Sequence, residues 1–265
     1  MRNDPRHVAD LERINYLATQ PIVQVIPDME LILREDVILT SSKTFPSPDA
    51  NHACLMRANI QTANQLLDEV IDYFTEREIN PTIFISPACT PADWHERLIS
   101  RGFTKQAGEE AWMVYYDLQA AKAPPVDSRI VVKQVSPADV PVYAEVMAAA
   151  FEMPPEWIPV LASQLLPSVG LPGIHYYLGF IDHQPVATLN LKCFQNYASV
   201  GAASVIPRYR GSKTLYTLAA KVLLEAQQMD IDVILLQTTL GPVFERFIRI
   251  CGFATAFKRH CYMLS

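Results

Sequence analysis

The sequence predicts an α/β protein of the α+β kind, with two lobes that each carry a mixed, mostly antiparallel sheet flanked by helices. Three observations predict it. The 265 residues exceed one ordinary domain and suit two modest ones of about 120 to 140 residues. The stretch AAKAPPVDS, residues 120–128, reads as a linker because small residues and the pair Pro124 and Pro125 interrupt every regular period. Strand-like and helix-like periods alternate on both sides of it. The expected domains are residues 1–120 and 128–265.

Composition narrows the function. Half of the residues (50%) are hydrophobic and 19% are charged, so the chain has the apolar content to bury a core. A net charge of -6 argues against broad binding to nucleic acid or to an anionic membrane. No apolar run reaches the roughly 18 residues of a membrane span, and the opening MRNDPRHVADLER is charged where a signal peptide needs an apolar core. The expectation is a cytoplasmic protein that acts on small molecules. The five cysteines, Cys54, Cys89, Cys193, Cys251 and Cys261, show no CxxC pair and no clustering with histidine, which predicts reduced thiols and no metal site.

In the N-terminal half the strands are ELILRED, VILTSS and HACLMRA, followed by the helix ANQLLDEVIDYFTERE, the strand PTIFIS, the helix DWHERLISR and the strand EEAWMVYYDL. After the linker, RIVVKQV is β-branched and strand-like. Ser136 and Pro137 then supply an N-cap and a first-turn proline for a helix through VYAEVMAAAFE. A second helix, PEWIPVLASQLL, follows and is expected to be interrupted at Pro159. The strands HYYLGFI, PVATLNLKCF and YASVGAASVI, separated by turns at Asp182-His183-Gln184 and Gln195-Asn196, predict an antiparallel meander. Leu215, Leu218, Ala219, Val222 and Leu223 then form a helical stripe, DVILLQT a buried strand, VFERFIRI a short helix and ATAFKRHCYML a terminal strand. The helix, Gly-Phe, strand order occurs twice, at Gly102-Phe103 and Gly252-Phe253, and suggests a tandem duplication.

The chemistry concentrates in SVIPRYRGSKTLYTLAAKVL, residues 204–223. An apolar strand ends at Pro207, a short loop brings Arg208, Arg210, Gly211 and Lys213, and a helix starts at once. Unpaired N–H groups and the positive end of the macrodipole make such a helix start a phosphate site. The plainer reading, a solvated basic turn capped by Gly211, stands beside it.

This segment resembles the GNAT-type N-acetyltransferase superfamily, through Pro207, Arg210, Gly211 and Leu218 and through VILLQTTLGPVFERFIRICGF downstream. Lys213 and Leu215 stand where that family's loop has small residues. The resemblance covers residues 129–265 and implies that Val205 and Ile206 pair with the pantetheine of acetyl-CoA while Arg210, Gly211, Ser212, Lys213, Thr214 and Leu215 hold its pyrophosphate. It also implies an N-terminal half that is a degenerate copy, since HACLMRANIQTANQLL has no such loop.

The family's usual tyrosine position is Ile248, and YASVGAASVI carries no carboxylate. The resemblance therefore points to Tyr262 as proton donor and Glu152 as a water-mediated base, with Glu156 and His260 nearby. A solvated pair of glutamates and a Tyr262 ring packed in the core are the bland readings of the same residues. The implied function is direct transfer of an acetyl group from acetyl-CoA to a small-molecule or peptide amine, with no metal. A non-catalytic acyl-CoA-binding or interaction module is the alternative, and a site for another phosphorylated ligand is a third.

Overall fold

The computed structural model describes residues 4–120, 126–211 and 213–264. In chain order the first elements are α1 (Pro5–Val23), β1 (Met29–Leu33), β2 (Ile38–Ser42), β3 (His52–Cys54), α2 (Ala63–Thr75), β4 (Thr82–Ile85), α3 (Trp94–Ser100), β5 (Phe103–Lys105) and β6 (Glu110–Tyr115). Then follow β7 (Ile130–Gln134), α4 (Val140–Ala150), α5 (Trp157–Leu165), β8 (Ile174–Ile181), β9 (Gln184–Phe194), β10 (Tyr197–Val205), α6 (Thr214–Gln228), β11 (Val233–Thr238), α7 (Gly241–Ile250) and β12 (Ala254–Leu264). The linker residues 121–125 and Ser212 lie outside the described residues. No described helix is long and apolar enough to cross a membrane.

The chain divides into two compact units that differ from the expected residues 1–120 and 128–265. The first unit is Met1–Tyr16, Pro27–Met113 and Gln237–Ser265; the second is Leu17–Ile26 and Val114–Leu236. The terminal strand, expected to complete the C-terminal domain, thus belongs with the N-terminal half. β12 pairs antiparallel with β4, from His260↔Ile85 to Met263↔Thr82, and with β5, from Tyr262↔Lys105 to Leu264↔Phe103.

Charge explains why β12 is held there. Arg259, 2% exposed, has its guanidinium over the rings of Phe84 and Trp112, and it donates to Glu110 at 2.6 Å and to Glu12 at 3.3 Å. A buried guanidinium needs such partners, and both carboxylates are in the first unit. Burial pushes the Glu110 carboxyl up, but Arg259 outweighs it and the net shift is downward. In Glu12 burial wins and the shift is upward. The apolar core of this unit gathers Leu67, Val70 and Phe74 of α2, Ile83 of β4, Trp94 and Leu98 of α3, Phe103 and Tyr262. Its sheet runs β1-β2-β3-β4-β12, antiparallel except for the parallel β3–β4 pair.

The second unit contains the predicted meander. β7, β8, β9 and β10 pair antiparallel in sequence order, and β11 lies parallel to β10. The β8–β9 turn places Asp182 and His183 both at positive φ, +46° and +64°, the hairpin geometry that matches strand twist. Pro159 does not interrupt α5, which begins at Trp157, so the proline lies in the first turn where its missing N–H costs no helix bond. The buried face of α6 is Thr214, Thr217, Leu218, Ala220, Val222 and Ala226, rotated from the expected stripe because two threonines join it. α1 and β5 escaped the sequence reading. In α1 the buried stripe Val8, Leu11, Ala18 and Ile22 is broken by the buried polar Glu12 and Asn15. β5 is only three residues long.

Candidate functional site

The site grows from the far end of β10. Its parallel register with β11 runs from Tyr197↔Val233 to Val200↔Leu236 and ends there. Pairing with β9 continues to Val205↔Ala187, across a register shift between Gly201 and Ser204, and Ile206 N donates to Val186 O at 2.9 Å. Ala202 takes the left-handed backbone of this bulge, φ +46°. Thr188 pins it: its hydroxyl donates to Ala202 O at 2.8 Å and bonds Ser204 Oγ at 2.7 Å. From Gly201 onward β10 therefore has one paired edge and one edge able to take an added strand. Val205 is buried and Ile206 partly so, which suits backbone roles for both.

A 3₁₀ turn, Pro207–Tyr209, leads into the loop. Gly211 adopts φ +82° and Lys213 φ +61°, so Lys213 takes a left-handed conformation that glycine adopts most readily. Lys213 occupies the N-cap position and no side chain caps α6 there. Thr214, buried, and Leu218 pack over Gly179 of β8, and Leu215 is partly buried beside them. Ahead of α2, Asn59 Oδ1 accepts from the N–H groups of Gln61 and Thr62 at 2.9 and 3.0 Å in the turn before the helix, and no side chain caps α2 at its N-cap Thr62.

Arg210 is engaged by the chain. Nη2 donates to Ala150 O, at the end of α4, at 2.8 Å; Nε donates to Val205 O at 3.3 Å; and Nη1 lies 3.3 Å from Glu152 Oε1. Glu152 itself has left-handed backbone, φ +56°. Glu152, expected as a water-mediated base, lies beside the loop as the ion-pair partner of Arg210. Both side chains are more than half exposed, 67% and 54%, so the pair contributes little stability.

Tyr262 belongs to the first unit. It lies in the core of the first unit, with its hydroxyl 3.0 Å from His95 Nδ1 and its pKa raised by burial. Glu152 and the loop belong to the second unit. Ile248 and His260 also belong to the first unit, and Glu156 is exposed at the start of α5. No group of three or more metal-ligating side chains occurs among the described residues. The five cysteines are free thiols, Cys54 and Cys89 buried.

The sequence reading passed over the polar alternates of β9. Gly179 and Ala187 face α6, so Thr188, Asn190 and Lys192 face the opposite side, the side of α4, where Tyr143 meets Tyr176 edge-on at 5.4 Å. Lys192 Nζ donates to Thr19 Oγ1 at 2.9 Å, and desolvation lowers its pKa to about 8. Among the described residues no carboxylate lies within ion-pair distance of it. Asn190 Oδ1 is buried without a hydrogen-bond partner and lies over Gly201, where a Cβ would meet it at 2.5 Å. Alternation in PVATLNLKCF was the available signal.

Comparison with solved structures decides the fold. The chain matches a GCN5-related N-acetyltransferase from Kribbella flavida with a TM-score of 0.69, over 94% of both chains at 12% identity. The fold is that of the GNAT acetyltransferases. A GNAT protein from Sphaerobacter thermophilus matches at TM-score 0.63 and 14% identity, over 88% of this chain and 81% of that one. A tandem GNAT protein from the clavulanic acid biosynthesis pathway matches at TM-score 0.61 and 12% identity, over 93% of this chain and 86% of that one. Protein-family models give no match, and neither do curated protein sequences. The GNAT resemblance read from Pro207, Arg210, Gly211 and Leu218 is thus matched by the three-dimensional fold.

Proposed function

We propose that the second unit is an acyl-CoA-dependent N-acyltransferase that transfers an acetyl group from acetyl-CoA to a small-molecule or peptide amine. The observation that carries this reading is the open edge of β10 from Gly201 to Val205, which leads directly into a basic loop and the uncapped start of α6. Pantetheine carries amides that pair with such an edge as a strand would, and a pyrophosphate suits unpaired helix N–H groups. Gly211 and the left-handed Lys213 turn the backbone toward that anion, while Arg210 holds the loop against the end of α4. Acetyl-CoA supplies the thioester. The amine nitrogen attacks its carbonyl carbon, the carbon–sulfur bond breaks, and the CoA thiolate takes up the proton that the amine releases.

The chain contributes placement and polarisation by strand N–H groups. In this reading Glu152 positions the loop through Arg210, and Tyr262 serves the core of the first unit. The first unit is the degenerate member of the tandem, since the segment between its β3 and α2 carries no glycine. A second reading, a non-catalytic acyl-CoA-binding module, draws on the same Arg210–Glu152 contact, which leaves no evident base.

Thermal shift tests the proposal. Acetyl-CoA should stabilise the protein where ATP and NAD do not. Arg210→Ala with Lys213→Ala should weaken CoA binding by tenfold or more, since charge-assisted bonds are worth about 1.5 to 3 kcal/mol each. Unchanged affinity would sink the assignment. Binding without CoA release in the presence of any amine selects the second reading.

A further inference from the structure

Lys192 is a partly buried cation with no anion beside it among the described residues. The ammonium of Lys192 has a hydroxyl, Thr19 Oγ1, as its hydrogen-bond partner, and no carboxylate of the described chain reaches it. Desolvation holds its pKa near 8, so near neutral pH it is still about nine-tenths protonated. Placing a charge there without a counterion is costly.

A second unsatisfied group stands beside it. Asn190 is two residues earlier on β9, so its side chain leaves the same face, with the two attachment points about 6 to 7 Å apart along the strand. Its Oδ1 is buried and accepts from nothing. The oxygen lies over Gly201, the first residue of β10 beyond the last pair with β11. The orphan acceptor therefore stands where the open edge of β10 begins, and the orphan cation stands next along the strand.

The two groups ask for opposite things. A carboxamide oxygen takes an N–H, and an ammonium takes an anion. We infer that Asn190 and Lys192 recognise an acceptor amine that also carries a carboxylate, with Asn190 Oδ1 accepting from the amine and Lys192 pairing with the carboxylate. The substrate class is an amino acid or a short peptide with a free carboxylate. This rests on the N-acyltransfer reading for the identity of the amine as acceptor. The two side chains themselves ask only for a ligand that bears both groups.

The test uses the full-length protein and a thermal-shift panel, with and without saturating CoA. The probes are the common amino acids and glycylglycine, each compared with its amide or its decarboxylated amine. At least one acid should stabilise the wild type more than its uncharged counterpart. Lys192→Met should weaken that acid's binding by at least tenfold while leaving the CoA-induced shift intact, and Lys192→Arg should retain part of the preference. Asn190→Leu should weaken acid and amide alike. Methionine at this partly buried position leaves no charge to desolvate, so the variant is expected to fold. Equal stabilisation by acids and amides, or a Lys192→Met protein that keeps the preference, overturns the inference. A wild type that CoA does not stabilise overturns the acyltransferase reading instead, and the probes without CoA still judge the pair.

Discussion

Removing the charge of Lys192 should make the protein more stable near neutral pH. Burial lowers this lysine from 10.5 to about 8. At about 1.4 kcal/mol per tenfold change in proton affinity, the native state bears a penalty of about 3 kcal/mol. The native lysine binds its proton less tightly than the unfolded one, so stability rises with pH between the two values. The penalty is complete below about pH 8 and gone above about 10.5. Methionine keeps most of the apolar stem and gives up the bond to Thr19, a loss of about 1 kcal/mol. The expected net gain for Lys192→Met is about 2 kcal/mol near pH 7, shrinking to nothing or reversing near pH 10.5. Urea unfolding followed by far-ultraviolet circular dichroism at both pH values measures it. A variant no more stable than wild type near neutral pH, or a gain that ignores pH, would show that the ammonium already has adequate solvation or a counter-charge.

Two further outcomes follow from individual contacts. Gly201→Ala puts a methyl 2.5 Å from Asn190 Oδ1, the far end of a side chain that can turn away, so it should cost no more than about 1 kcal/mol, a loss that disappears when Asn190→Ala is added; denaturant titration of the single and double variants checks this, and a larger loss or additive losses refute it. His52, buried between Tyr16 OH at 2.6 Å and Pro48 O at 2.8 Å, has its pKa lowered to about 4 by desolvation and then by Arg259. Stability should fall by up to about 3 kcal/mol as pH drops from about 6.5 to 4, because the unfolded imidazole takes up a proton that the native one refuses. His52→Gln should flatten that part of the pH profile, and an unchanged slope would place the acid sensitivity elsewhere.

Much of the fold was legible in the chain because periodicity, caps and breakers act over a few residues. The meander from β8 to β10, the turn at Asp182-His183, the loop at Gly211 and the strand β11 all stand where the sequence places them. Gly102 and Gly252 both take positive φ, +86° and +98°, just past helices α3 and α7, as the repeated Gly-Phe suggested. The phosphate-site reading of residues 204–215 came from the same kind of local signal, a strand, a basic turn and a helix start. In these places nearest neighbours in sequence are also the neighbours that decide conformation.

The rest depended on contacts across long separations. Nothing within ATAFKRHCYML says which sheet it completes; Arg259 needs Glu110 and Glu12, 149 and 247 residues away, to satisfy its buried charge. With the pairing of β12 to β4 and β5, that requirement keeps Tyr262 in the first unit. Likewise only the folded loop shows that Lys213 sits in the left-handed region, where glycine is favoured. Asn190 and Lys192 read as polar alternates of a strand, ordinary in an exposed sheet face. Only packing shows that one has no donor and the other no anion, because burial is a property of everything brought around a side chain, and the chain specifies that only once it has folded.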